Sequence, residues 1–169
     1  MITDTISESA TGEDQSSANF LVDAGLPAIF QEPVLLFSLS TGTASFSSSI
    51  SPNAISTVSY TFTTSTNAPS GYTVQVSEDG NFRAGSADIS DVTDGAVSAG
   101  SEEYGLSVAG LDAAFSDDRA IPSTSLVVAS RSNWISSSIT TVTHKAAVTQ
   151  GFAAGGYAHT VTYVAIGNF

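Results

Sequence analysis

The chain has 169 residues, with 16 Asp and Glu against 4 Lys and Arg, giving a net charge of −12 and a pI near 4.1. Only 12% of residues are charged while 41% are hydrophobic, and 29 Ser with 19 Thr make the polar remainder hydroxyl rather than ionic. This balance excludes the disordered class, which joins low hydrophobicity to dense charge, and four scattered bases exclude a nucleic-acid partner, whose phosphates are gripped by clustered Lys and Arg. The absence of cysteine excludes disulfides, thiolate metal sites and cysteine nucleophiles. Nine Phe, five Tyr and one Trp supply one domain with a core, and the hydroxyl-rich, Lys-poor surface has the character of an exported protein.

Residues 1–19 are polar, acidic and without period, so a flexible leader is expected there. Residues 1–32 carry no base and no apolar run of the kind a signal peptide needs, and no stretch of the chain approaches the ~18 apolar residues of a membrane span. Within residues 20–32, Phe20, Leu21, Val22, Leu26, Ile29 and Phe30 form an apolar segment broken by Gly25 and Pro27, which no regular helix accommodates. This segment is expected to act as an arm, burying itself on its own domain or on a neighbour.

From Pro33 onward the period is two. Strands are expected over 34–40, 43–50, 54–66, 71–78, 82–89, 104–108, 125–129, 139–148 and 157–166. The turn cluster at 67–71 predicts a β-hairpin joining 54–66 to 71–78. Three glycines between 142–148 and 157–163 predict a second, which would set His144 beside His159 on paired strands. No helical period is sustained. The expected fold is therefore all-β, an antiparallel β-sandwich or jelly roll of about eight strands over residues 33–169, preceded by the leader and extended arm of residues 1–32.

Few constellations point to chemistry. Ser107, Asp117 and His144 follow a hydrolase order, but a nucleophile elbow needs a helix after the serine, and residues 112–118 are polar loop. Two histidines are half a metal site. Asp88, Asp91 and Asp94 are spaced by three, unlike an EF-hand, while Glu78, Asp79, Glu102, Glu103, Asp117 and Asp118 could contribute to an irregular Ca2+ site or simply form a solvated acidic face. Lys145, the sole lysine, could form an isopeptide bond given a nearby Asn or Asp and a catalytic acid, or face solvent. No catalytic residue is assigned, and a non-enzymatic role is expected. Residues 1–118 sum to −15 and residues 119–169 to +3. Either folded copies have an acidic and a basic end, favouring head-to-tail contact, or the late bases pair with acids of their own domain.

Residues 61–82, TFTTSTNAPSGYTVQVSEDGNF, together with 155–169, GGYAHTVTYVAIGNF, resemble a pattern of secreted bacterial β-sandwich proteins, in which a strand leads to Asn-x-x-x-Gly-Tyr and the domain closes on Gly-x-Tyr and an alternating strand. WxL-type surface domains and the fibre-forming camelysin and TasA proteins of biofilm matrices are similar in this way, although the Trp-x-Leu signature is absent here. The resemblance implies an extracellular, cell-surface structural role, as a fibre subunit built by strand donation. The expected partner is thus self, in a homopolymer joined through Phe20, Leu21, Val22, Leu26, Ile29 and Phe30, with other surface or matrix components alongside. The alternative is a monomeric surface-binding module for a carbohydrate or protein ligand.

Overall fold

A computed structural model describes residues 32–47 and 49–169, together with the backbone of Gln15–Ser17 and Phe20–Val22. The chain divides into two units, Met1–Glu32 and Pro33–Phe169. In the first, β1 (Gln15–Ser17) and β2 (Phe20–Val22) pair antiparallel with Ser16 opposite Leu21.

The second unit is all-β, with no helix among the described residues. Its strands are β3 (Leu35–Leu39), β4 (Ser56–Thr66), β5 (Tyr72–Glu78), β6 (Phe82–Ala84), β7 (Ala87–Ile89), β8 (Glu103–Gly110), β9 (Leu126–Arg131), β10 (Ile135–Ala147) and β11 (Val161–Gly167). An antiparallel sheet of order β3-β4-β10-β8 and a second of order β11-β5-β9 share one hydrophobic core, giving a sandwich-like unit, and β6 and β7 form a separate hairpin. Alternation makes this core: Phe62 on β4, Val74 and Val76 on β5, Leu106 on β8 and Val142 on β10 point inward and are essentially inaccessible, while Thr61, Thr63, Thr141 and Thr143 point out. Burying each large apolar side chain stabilises the fold by about 1.5–3 kcal/mol.

Both expected hairpins are instead crossovers between sheets. β4 pairs with β3 and β10, whereas β5 pairs with β11 and β9. The turn after β4 therefore carries the chain across the sandwich, and each strand buries its apolar face against the other rather than beside it. Gly71 makes the crossing possible. Its φ is +76°, and a Cβ there would overlap the Arg131 carbonyl. Likewise β10 pairs with β4 and β8 while β11 pairs with β5, so residues 148–160 also bridge the two sheets. The expected strand at 43–50 is irregular wherever it is described, because its Ser-rich face has no partner strand. Residues 82–89 split into the β6–β7 hairpin at Gly85, whose φ is +63°.

Candidate functional site

The two flanks of the sandwich are finished differently. On one, the outer edges of β8 and β9 are occupied by loop backbone: Leu106 N donates to Arg119 O, Tyr104 N to Ser90 O, Ala114 N to Val128 O and Ser130 N to Asp112 O. On the other flank, where β3 and β11 approach and the Phe37 and Tyr163 rings lie 6.2 Å apart, no backbone bond is made by the outer edge of either strand among the described residues. The same flank has a third open edge. β3 covers β4 only from Phe62 to Thr66, with Ser40 N adding a bond to Thr61 O. Asn67 N donates to Val34 O, so the odd-numbered backbone of β4 faces β3, and this parity aims the N–H and C=O of Thr57 and Ser59 at an edge that no backbone group occupies among the described residues.

Beside that edge lies a cavity of about 900 Å³. Leu39, Phe46, Ile50, Val58, Val148 and Phe152 supply apolar wall, and Tyr60, Tyr104, Tyr163, His144 and His159 supply polar atoms. Phe82 anchors its inner side, with its ring stacked 5.1 Å from Tyr104 and edge-on 5.8 Å from Phe46 and 5.4 Å from His159.

Along this wall runs an unbroken file of hydrogen bonds across the sandwich, ending on Glu78 beyond the lining. Tyr163 Oη meets Tyr60 Oη at 2.8 Å, and Tyr60 Oη meets His144 Nε2 at 2.9 Å. His144 Nδ1 meets Tyr104 Oη at 2.6 Å, Tyr104 Oη meets His159 Nε2 at 2.8 Å, and His159 Nδ1 meets Glu78 Oε2 at 3.0 Å. The strands place each member. Tyr60 and His144 are inward positions of neighbouring β4 and β10, Tyr104 follows on β8, and Tyr163 and Glu78 come from the facing sheet. Burial sets the electrostatics by disfavouring charge. It raises Glu78 to about 7, helped by the nearby Asp91 and Asp79 carboxylates and opposed by Arg83. Burial, then His159, pushes His144 down to about 4, and burial also lowers His159. The three phenols are raised for the same primary reason. Burial thus favours the neutral form of both partners in the contact between His159 and Glu78.

Of the arm residues, Phe20, Leu21 and Val22 form β2, and Leu26, Ile29 and Phe30 lie outside the described residues. His144 and His159 do come together, but from β10 and the connection before β11, and through the Tyr104 hydroxyl rather than across a hairpin. Ser107 does not join His144, because it lies on the outer face of β8 opposite Thr143 while His144 points inward. The acids considered for calcium are dispersed. Glu102 accepts from Ser90, Glu103 from Ser98 and Asp118 from Val97, and among the described residues no three His, Asp or Glu side chains converge to hold a metal. Lys145 does not face solvent freely; its Nζ lies 2.6 Å from Asp118 Oδ1. Tyr60, Tyr104, Tyr163 and Glu78 were legible only as inward stripe positions, since nothing local marks a tyrosine whose hydroxyl meets a histidine some 40 to 84 residues away. No protein-family model matches the chain, and no curated protein or solved structure matches it.

Proposed function

We propose that this chain is a structural subunit of an extracellular filament, a surface pilus or biofilm-matrix fibre, in which residues 20–30 of one copy add as a strand to the open flank of the next. The carrying observation is the asymmetry of the flanks: loop backbone occupies the edges of β8 and β9, whereas among the described residues nothing pairs with the outer edges of β3 and β11 or with the Ser56 to Tyr60 stretch of β4, beside a cavity of mixed apolar and polar lining. Proteins that remain monomeric cover, shorten or charge such edges, and an added strand gains main-chain hydrogen bonds together with pockets for alternate side chains. The apolar positions Phe20, Leu21, Val22, Leu26, Ile29 and Phe30 suit those pockets, and the contact is heterologous, so it propagates without closing. The resemblance of 61–82 and 155–169 to secreted fibre proteins supports the same reading.

Negative-stain microscopy of the full chain beside a form lacking residues 1–32 tests it. Fibres are expected only from the full chain, and fibres from the truncated form would sink the proposal. The aromatic lining of the cavity favours a second reading, a cell-surface binding module for a carbohydrate. In that case the full chain stays monomeric in the same images, and oligosaccharides perturb the Phe46 and Tyr157 ring resonances.

A further inference from the structure

The hydrogen bonds from Tyr163 to Glu78 run through six side chains, with the Gly80 backbone as a further partner of His159, and donor rules fix the direction of the file while Glu78 is ionised. An ionised Glu78 can only accept, so His159 Nδ1 carries the hydrogen. His159 Nε2 then accepts from Tyr104, Tyr104 from His144 Nδ1, His144 Nε2 from Tyr60, and Tyr60 from Tyr163. With one more proton on the Glu78 and His159 pair, a file that keeps all five contacts reverses in every member, the alternative being His159 Nδ1–H turned to the Gly80 backbone with the file unchanged. In the reversed file, whether that proton rests on Glu78 or on His159, Nε2 of His159 becomes a donor and Tyr104 must turn toward His144. The direction of a file with its contacts intact thus depends on the proton count of the pair and not on its position within it.

We propose that this file is a proton relay joining the buried Glu78 carboxylate to the groove, and that it sets whether Tyr163 offers the groove a hydrogen-bond acceptor or a donor. The step balances. One proton from water joins the Tyr163 oxygen, Tyr163 passes its own to Tyr60, Tyr60 to His144 Nε2, His144 Nδ1 to Tyr104, Tyr104 to His159 Nε2, and His159 Nδ1 to Glu78. Only O–H and N–H bonds form and break, no electron changes centre, and one carboxylate is neutralised. The Glu78 side chain is 3% exposed and His159 5%, so direct solvent contact with either is slight. As regulation of the groove, the relay rests on the docking function proposed above; as a proton path it does not.

The surroundings keep the His144 ring neutral while the file reverses. Glu78, at the end of β5, is faced by Asp79 of the following turn, Arg83 of β6, Asp91 after β7, Tyr104 of β8 and His159 before β11. Arg83 is held by Asp79 at 3.1 Å and softens the acidic cluster. His144 is faced by Tyr60, Tyr104 and His159, with no carboxylate in contact to stabilise an imidazolium.

The test is the tautomer of each ring, read by 15N NMR on histidine-labelled full-length protein from about pH 5 to about pH 9. Both rings are expected as Nδ1–H at the alkaline end; at the acid end His144 is expected as Nε2–H and His159 with hydrogen on Nε2, whether or not Nδ1 keeps its own, with one shared midpoint. Glu78→Gln removes the titration and should leave both tautomers independent of pH. Tyr104→Phe cuts the file and should stop His144 following His159. A single tautomer of His144 throughout, a doubly protonated His144, or midpoints separated by more than about one pH unit would overturn the relay from the wild-type spectra alone, so a variant that fails to fold changes nothing. Sedimentation of the same samples separates the two proposals: fixed tautomers with intact assembly remove the relay, and coupled tautomers without assembly remove the filament.

Discussion

Asp112 holds the end of the core remote from the histidines. Its carboxylate accepts from Tyr72 Oη at 2.7 Å and from Arg131 Nη1 at 2.9 Å, and it is 7% exposed. Burial alone would raise this carboxyl, yet the Ser138 and Tyr72 hydroxyls and the Arg131 guanidinium together hold it below its ordinary value. Asp112→Ala leaves a buried phenol and a half-buried guanidinium unpaired and is expected to cost about 3–5 kcal/mol, against about 1 kcal/mol for Tyr72→Phe, both read from urea midpoints. Glu78 and His144 act oppositely with pH. The raised carboxyl of Glu78 contributes stability present below its unfolded value of 4.5 and lost as pH rises through about 7, a difference on the order of 3 kcal/mol. The lowered imidazole of His144 contributes stability present above 6.5 and lost as pH falls through about 4. In the wild type the two slopes offset each other between 4.5 and 6.5. Glu78→Gln removes one of them, so its melting temperature should climb steeply with pH across that window while the wild-type profile stays flatter. A parallel pair of profiles would show that Glu78 titrates in the folded protein as it does unfolded. The sequence exposes such residues only as inward positions of a stripe. What makes Glu78 and His144 unusual is desolvation by strands far away in the chain, which no local pattern carries.

At the scale of elements, alternation told which face of each strand is buried but not which strand lies beside it. The 54–66 and 71–78 segments, and the 142–148 and 157–163 segments, have the turn chemistry of hairpins and the packing of facing layers, because a short loop can reverse the chain within a sheet or carry it to the opposite one. The open edge of β4 was hidden for the same reason: it exists because β3 ends at Leu39 while β4 begins at Ser56. That edge supports a sharp prediction. The Thr57 amide points away from β10, so Thr57→Pro deletes a donor that no described backbone group accepts from, at a position near the start of the strand where proline is tolerated. The variant is expected to melt within a few degrees of wild type, at a cost of about 1 kcal/mol or less, and to lose fibre assembly in sedimentation assays. Undiminished fibres would place the added strand elsewhere on the flank.

For the whole molecule, the −15 followed by +3 along the sequence is not a division into charged ends. All four bases are engaged with acids of the same unit: Arg83 with Asp79, Arg119 with Asp117, Arg131 with Asp112 and Lys145 with Asp118. Three of these pairs join a late base to an earlier acid, which consumes the apparent basic segment. What remains is negative everywhere it is not neutral. Residues 1–32 contain six acids and no base, and residues 33–169 contain ten acids with four bases, so each part carries −6. Donation of the first part of one copy to the second part of another therefore works against repulsion, and its free energy must come from apolar burial and main-chain bonds. Screening should then speed assembly. At about 0.5 M salt the Debye length falls well below the roughly 10 Å of 0.1 M, and the half-time of fibre growth by light scattering is expected to shorten several-fold. Lowering the pH toward the pI of 4.1 should act in the same direction by protonating exposed carboxylates. Assembly driven by an acidic end meeting a basic end would slow under both treatments, so the sign of the salt effect separates attraction between charged ends from insertion of an apolar strand.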